Sequence, residues 1–196
     1  MPARVSPDRT RRTGGHRIGG HRIIDSRAQD AYRKSMTNRP KIAFQGEPGA
    51  NSHIACEEVH PDHEPMPCAS FEDALAAVSS GEAALGMIPI ENSIAGRVAD
   101  IHHLLPSADL HIVGEHFLPI HFQFMAPRGA TLSGIRTAES HIHALGQCRR
   151  FIRQHGYAAT IAGDTAGAAR VVAEAGDPTR GALAPKLAAD IYDLDI

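Results

Sequence analysis

From residue 41 onward, short apolar runs alternate with stretches whose apolar residues recur every three or four positions, and loops containing Gly, Pro or Ser separate them. Residues 41–45 read as a strand. The turn-rich loop Gly46-Glu47-Pro48-Gly49-Ala50-Asn51-Ser52 follows, and then a short helix over 52–59. A strand is predicted over 66–69. Ser70 then caps a helix that runs to about residue 79, with Asp73 three positions on and Gly81 just past its end. The run 84–89 has the composition of a buried strand. A helix is predicted over 97–105 with Pro106 as its stop, and residues 110–125 carry extended segments broken by Pro119. The stretch 112–122 is long enough, as a strand, to carry the chain from one lobe to another.

A further strand is predicted over 135–138. Ser140 then caps a long helix reaching about residue 155, with Ile142, Leu145, Cys148 and Ile152 on its apolar face and Gly156 as its stop. Residues 158–162 read as a strand, Asp164 or Thr165 caps the next helix, to about 175, 181–184 is a strand, and Pro185 opens a last helix. This alternation argues an α/β fold with largely parallel sheets.

With 196 residues, 42% of them hydrophobic, the chain is long enough to bury a sizeable core. Aromatics are only 5% and Trp is absent, so Ala and aliphatic side chains must fill that core. No run approaches the ~20 apolar residues of a membrane span, and no secretory leader is apparent. The three cysteines lack CxxC spacing and read as reduced thiols of a cytoplasmic protein. The net charge of -2 conceals an asymmetry. Residues 1–40 hold ten Lys/Arg and three Asp, a balance of +7, whereas 41–196 hold ten Lys/Arg and nineteen Asp/Glu, a balance of -9. The first forty residues, with the small duplication Gly-Gly-His-Arg-Ile, show no helix or strand period and read as a disordered basic extension. Such an arm can bind nucleic acid but is more often a solvated tail, and the tail is the reading adopted here. Met36 directly precedes the first strand and would serve as a natural start.

The densest candidate chemistry is Met87-Ile88-Pro89-Ile90-Glu91-Asn92-Ser93-Ile94-Ala95-Gly96. A buried-strand run stops at a carboxylate, an amide and a hydroxyl, and binding residues of open α/β folds sit just past the carboxyl ends of such strands. Ser140 and Gln147 lie seven residues apart, close to two helical turns, so both can face one way. Ser140 would sit at a helix amino end, where free N–H groups favour an anion. Thr165 occupies another helix start. Taken singly, each of these also reads as an ordinary cap. The loop at 46–52 lacks Gly-Lys-Ser/Thr and is no P-loop, and no Gly-x-Ser-x-Gly elbow occurs. Thirteen histidines invite a metal reading, with His102-His103, His141/His143 and His111/His116/His121 as candidates. Without HExxH or paired CxxC spacing, no metal set is assigned.

Together these segments resemble prephenate dehydratase. The resemblance rests on Ile42 through His53, Phe71-Glu72-Asp73-Ala74, Met87 through Val98, Ser140 through Cys148, Asp164-Thr165-Ala166-Gly167-Ala168-Ala169, and Leu183-Ala184 through Tyr192. These six matches occur in the family's order across 41–196. The resemblance implies a two-lobed α/β fold like a type 2 periplasmic binding protein, with lobe 1 at about 41–118 and lobe 2 at about 119–190. It implies decarboxylative dehydration of prephenate to phenylpyruvate, on the route to phenylalanine, with no cofactor. Arogenate is not separated from prephenate by these motifs. By motif, Glu91, Asn92, Ser140 and Gln147 correspond to active-site positions, and Ser93 and Thr165 to binding positions. Asn92 and Gln147 would orient substrate, and Ser140 would hold a carboxylate. Glu91 would act as acid or hold the hydroxyl if partial burial raises its pKa. Full-length relatives of the family tend to be dimers or larger, so the resemblance allows a homodimer, but the sequence does not fix the oligomeric state. The family's Thr-Arg-Phe motif and its ACT domain have no counterpart before Ile196, so the first lobe is expected to be incomplete. A binding module that holds a small dicarboxylate without turning it over is the competing expectation.

Overall fold

The computed structural model describes residues 39–196. The expectations for the basic arm, its duplication and the start at Met36 fall on residues 1–38, outside the described residues.

In β1 (Lys41–Gln45) successive side chains alternate between two faces, as a strand requires. Ile42 and Phe44 enter one apolar cluster and Ala43 another. β1 is the central strand of a three-stranded parallel sheet, between β2 (Glu64–Cys68) and β3 (Leu85–Met87). Pro65 and Pro67 are tolerated in β2 because it is an edge strand. Helix α1 (Asn51–Val59) covers one face through Cys56. Helix α2 (Phe71–Ser79) covers the other through Ala74 and Ala77. Ser70 caps α2 as expected, accepting the Asp73 N–H at 3.1 Å.

The second sheet has the order β6 (Gln123–Met125), β9 (Arg180–Ala184), β7 (Thr137–Ser140), β8 (Ala158–Ile161). β9 runs parallel to β7, and β7 to β8, while β6 pairs antiparallel with β9. On β9, Leu183 faces α4 (Ile142–Gln147) and α5 (Arg149–His155) in a cluster with Leu145 and Ile152. Ala182 and Ala184 face the opposite way, into the cluster that holds Ile42 and Phe44. Between the two sheets lie α6 (Thr165–Ala175) and α7 (Lys186–Tyr192), which contribute Ala166, Ala169, Val172, Ala188 and Ala189. The small residues of α6 and α7 let both sheets come close, which is how this Ala-rich cluster is filled. The two-lobed α/β architecture is present, with a three-stranded sheet in the first lobe and a four-stranded sheet in the second, and one apolar cluster runs continuously through both lobes. Among the described residues no helix is long and apolar enough to cross a membrane.

Several expectations change. After β3 the chain forms a small hairpin, β4 (Glu91–Asn92) against β5 (Gly96–Arg97), which the pattern did not suggest. The following helix α3 (Ala99–Leu104) starts two residues late and ends one residue before the expected 105, and Pro106 lies in the 3-10 turn (Leu105–Ser107) that follows it. Residues 112–122 form no strand. Ile112, Val113 and Phe117 are 73%, 81% and 83% exposed, so the alternation of apolar residues there reflects composition and not pairing. The long helix expected from 140 to 155 is two helices that meet at Cys148, and Ile142, placed on its apolar face, is half exposed. The left-handed backbone of Gly156 (φ 71°) ends α5 as expected. Arg39 and Pro40, assigned to the disordered extension, are ordered: Arg39 donates to backbone carbonyls of the loop before β2.

Candidate functional site

The carboxyl ends of β1, β7 and β8 lead through short loops into the amino ends of α1, α4 and α6. These loops and the β4–β5 hairpin surround one cleft of about 190 Å3. Asn51 lines it as the first residue of α1, Thr165 as the first of α6, and His141, His143 and Ala144 as the start of α4. Gln147, the last residue of α4, faces the same space, as do Asn92 and Arg97 from the hairpin. Ile120 and Phe122 supply an apolar wall. Helix amino ends expose N–H groups without internal partners, so this cleft is surrounded by donors and suits an anion.

The local bonds explain the presentation of each group. The Asn92 Oδ1 accepts the Ile94 and Ala95 N–H groups, both at 2.9 Å. Its oxygen is therefore committed to the hairpin turn, and the amide NH2 is left to donate into the cleft. Asp164 caps α6 by accepting the Gly167 N–H at 2.6 Å, which leaves the Thr165 hydroxyl beside the cleft. The His141 Nδ1 accepts the His143 N–H at 3.4 Å, so the proton of the neutral ring belongs on Nε2. Burial, aided by the neighbouring His143, holds the His141 ring below the usual imidazole value, which favours that neutral, donating form. The loop carrying Asn51 is held by the Gly49 N–H bond to His53 Nδ1 at 3.0 Å, with the His53 ring stacked on Phe44.

Of the six residues expected from sequence, the structure brings Asn92, Gln147 and Thr165 together at the cleft. Glu91 is exposed on the hairpin, opposite Arg97 in register, so the partial burial its acid role depends on is not found here. Ser93 is exposed at the hairpin tip and does not line the cleft. Ser140 requires a correction. It is the last residue of β7 and not a helix cap, because the strand runs two residues beyond the predicted 138 and His141 takes the cap position. Its side chain is wholly buried, and its Oγ donates to the Leu183 carbonyl at 2.6 Å. That bond joins the ends of β7 and β9 and makes Ser140 a positioning residue for the start of α4. The sequence pointed to no role for Asn51 or Arg97, and to His141 and His143 only as candidate metal ligands. Each lies inside a motif already quoted, but only the fold brings those motifs together.

Comparison with known proteins bears on the family and the fold. The family model described as prephenate dehydratase matches residues 42–196. A Komagataeibacter europaeus protein, named a bifunctional N-acyl-homoserine lactone acylase/prephenate dehydratase, is 44% identical over 82% of this chain and 57% of its own. An Arabidopsis thaliana chloroplastic arogenate dehydratase/prephenate dehydratase is 36% identical over 83% of this chain and 42% of its own. The solved structure of a prephenate dehydratase from Arthrobacter aurescens in complex with L-Phe superposes with a TM-score of 0.71 at 31% identity, over 77% of this chain and 52% of that one. The chain thus spans about half the length of the curated relatives it matches.

Proposed function

The chain belongs to the prephenate dehydratase family, and from that premise we propose that its cleft binds prephenate and converts it to phenylpyruvate. The observation that carries this reading is the convergence of Asn92, Gln147 and Thr165 with Arg97 and three helix amino ends around one cleft. Prephenate carries two carboxylates and a ring hydroxyl, so a site for it needs several fixed donors and at least one positive centre. In the reaction the ring carboxylate leaves as CO2, and its bonding pair enters the ring. The hydroxyl leaves from the far carbon and takes up a proton to become water. Gain of aromaticity drives the step, so no redox change or cofactor is required. What the protein must supply is placement of the two carboxylates and a donor to the departing oxygen. Arg97 and the helix amino ends supply the first. The Asn92 NH2, the Thr165 hydroxyl and the His141 Nε2–H are the donors available for the second. Arogenate keeps the carboxylates and the hydroxyl and differs by an amine, so it is a substrate of the same class.

Binding without turnover is the second reading, and the exposure of Glu91 and burial of Ser140 favour it. Phenylpyruvate release from prephenate decides between them. We expect release by the chain, reduced at least tenfold, or about 1.4 kcal/mol of transition-state stabilisation, in both Gln147→Ala and Thr165→Val. Saturable binding with no release would establish the second reading, and neither binding nor release would end both. One relative's name carries acylase activity, and Ile120 and Phe122 give this cleft a wall on which an acyl chain would lie. An N-acyl-homoserine lactone therefore belongs beside prephenate in the assay.

A further inference from the structure

The loop that joins α1 to β2 gathers His60, Asp62 and His63 at the opposite end of the first sheet from the cleft. One ligand atom from each lies within 4.8 Å of the others. We propose that these three residues form a binding site for a borderline divalent metal ion of the Zn2+ class. Two imidazoles and one carboxylate make a mixed nitrogen and oxygen donor set, which suits zinc and disfavours calcium or magnesium, whose ligands are oxygens. Three protein ligands leave the fourth tetrahedral position to water. Tetrahedral zinc with bonds of about 2.0–2.1 Å holds its ligand atoms about 3.3 Å apart. The Asp62 Oδ1 and His63 Nδ1 already stand 2.9 Å apart, and the His60 ring nitrogen, within 4.8 Å of both, is the ligand that has to draw in for the site to close.

The backbone under these ligands is fixed before any ion arrives. Arg39 donates through Nε to the Asp62 carbonyl at 3.1 Å and through Nη2 to the His63 carbonyl at 2.6 Å, and it also bonds the Pro61 carbonyl. The His63 N–H donates to the His60 carbonyl at 2.9 Å, and the His60 N–H to Cys56 at 2.9 Å, which continues α1 into the loop. The Glu64 N–H donates to Pro40 at 2.9 Å and ties the loop to the chain entering β1. His60 and His63 are partly buried, with their rings 5.1 Å apart, and Asp62 is exposed. The site opens to solvent, so an ion can enter without any opening of the fold. The guanidinium of Arg39, from the segment entering β1, is bonded to this loop and weakens its affinity for a cation, so no tighter than micromolar binding is expected. At the amino edge of the sheet, the ion would clamp the end of α1 to the start of β2 and take no part in chemistry at the cleft.

The test is calorimetric titration of the EDTA-stripped chain with Zn2+, with Co2+ absorption as a report of tetrahedral geometry. We expect micromolar binding of one ion at this site, weakened at least tenfold in His60→Ala and in His63→Ala. The control His102→Ala/His103→Ala should bind as the parent does. Because a variant can misfold, the unaltered chain supplies a second readout: Zn2+ should protect His60 and His63 from modification by diethyl pyrocarbonate. Zinc binding unchanged in both single variants, or modification of His60 and His63 indifferent to Zn2+, would overturn the proposal.

Discussion

Arg180→Ala is expected to destabilise the folded domain by about 3 kcal/mol and to lower its midpoint of thermal unfolding by about 10 °C. Arg180 and Glu139 sit on adjacent strands and form a two-pronged ion pair, with contacts of 2.6 Å and 2.7 Å. Glu139 is buried, its side chain only 9% exposed, while Arg180 retains 29%. Removing the guanidinium leaves a buried carboxylate with only the Thr137 hydroxyl, at 3.2 Å, to partner it. The cost is the penalty of an uncompensated charge more than the net worth of the pair. The partial exposure of Arg180 puts the expected cost at the lower end of what breaking a buried pair usually costs. The pH dependence carries a sign. In the parent, the bond from Arg180 holds the Glu139 carboxyl below its ordinary value, against an opposing effect of burial. That stabilisation is present above the unfolded carboxylate pKa and is lost as pH falls through the depressed folded value. In Arg180→Ala only the Thr137 hydroxyl still opposes the effect of burial, and the folded value is expected to rise above the unfolded one. Its penalty then applies at neutral pH and is relieved as pH falls through the carboxylate range. The stability gap between the two proteins should therefore narrow on acidification, as denaturant midpoints at pH 7 and near pH 4 would show.

Gly49→Ala should be as damaging, at about 3–4 kcal/mol, and should disturb the cleft as well. Gly49 has φ +92°, a conformation that side chains rarely adopt, and an added Cβ would lie 2.7 Å from the Ala188 Cα and 3.0 Å from its N. Those atoms are helix backbone in α7 and cannot swing aside. The same contact region includes the Tyr192 hydroxyl, which donates to the Pro48 carbonyl at 2.8 Å, and Arg170, which pairs with Glu47 at 3.4 Å. The second lobe thus grips the loop that presents Asn51, and forcing that loop away moves a cleft residue. Gly81→Ala is the control. Its φ is +78°, but nothing lies within 4 Å of the added Cβ, so it should cost only the backbone strain of about 1 kcal/mol. Similar midpoints for the two variants would mean that packing against α7 contributes nothing.

What could be read in advance was what is decided locally. Ser70 and Asp164 cap their helices because a side-chain oxygen and an N–H three residues on meet wherever the helix begins. β1 and β9 were readable because each is apolar over a short run, although which face met which lobe was not. The misreadings share a cause. Ile112, Val113 and Phe117 have strand propensity, but a strand needs a partner, and propensity does not report one. Ser140 and His141 are neighbours, and a two-residue error in the end of β7 was enough to exchange a buried structural hydroxyl for a cap. Asn92, Gln147 and Thr165 could be named as candidates from their motifs. Arg97 and Asn51 could not be assigned a role, because their relevance depends on three loops from two lobes meeting at one place.

The measurement that bears most directly on the cleft is calorimetric titration of prephenate into the chain and into Asn92→Asp. This substitution keeps the oxygen that accepts the Ile94 and Ala95 N–H groups, so the hairpin survives, but it replaces the inward NH2 donor with a negative charge. One saturable site is expected in the parent chain and at least a tenfold loss of affinity in the variant, with the fold intact by circular dichroism. Equal affinity in the two proteins would place the dicarboxylate somewhere other than this cleft and contradict the account.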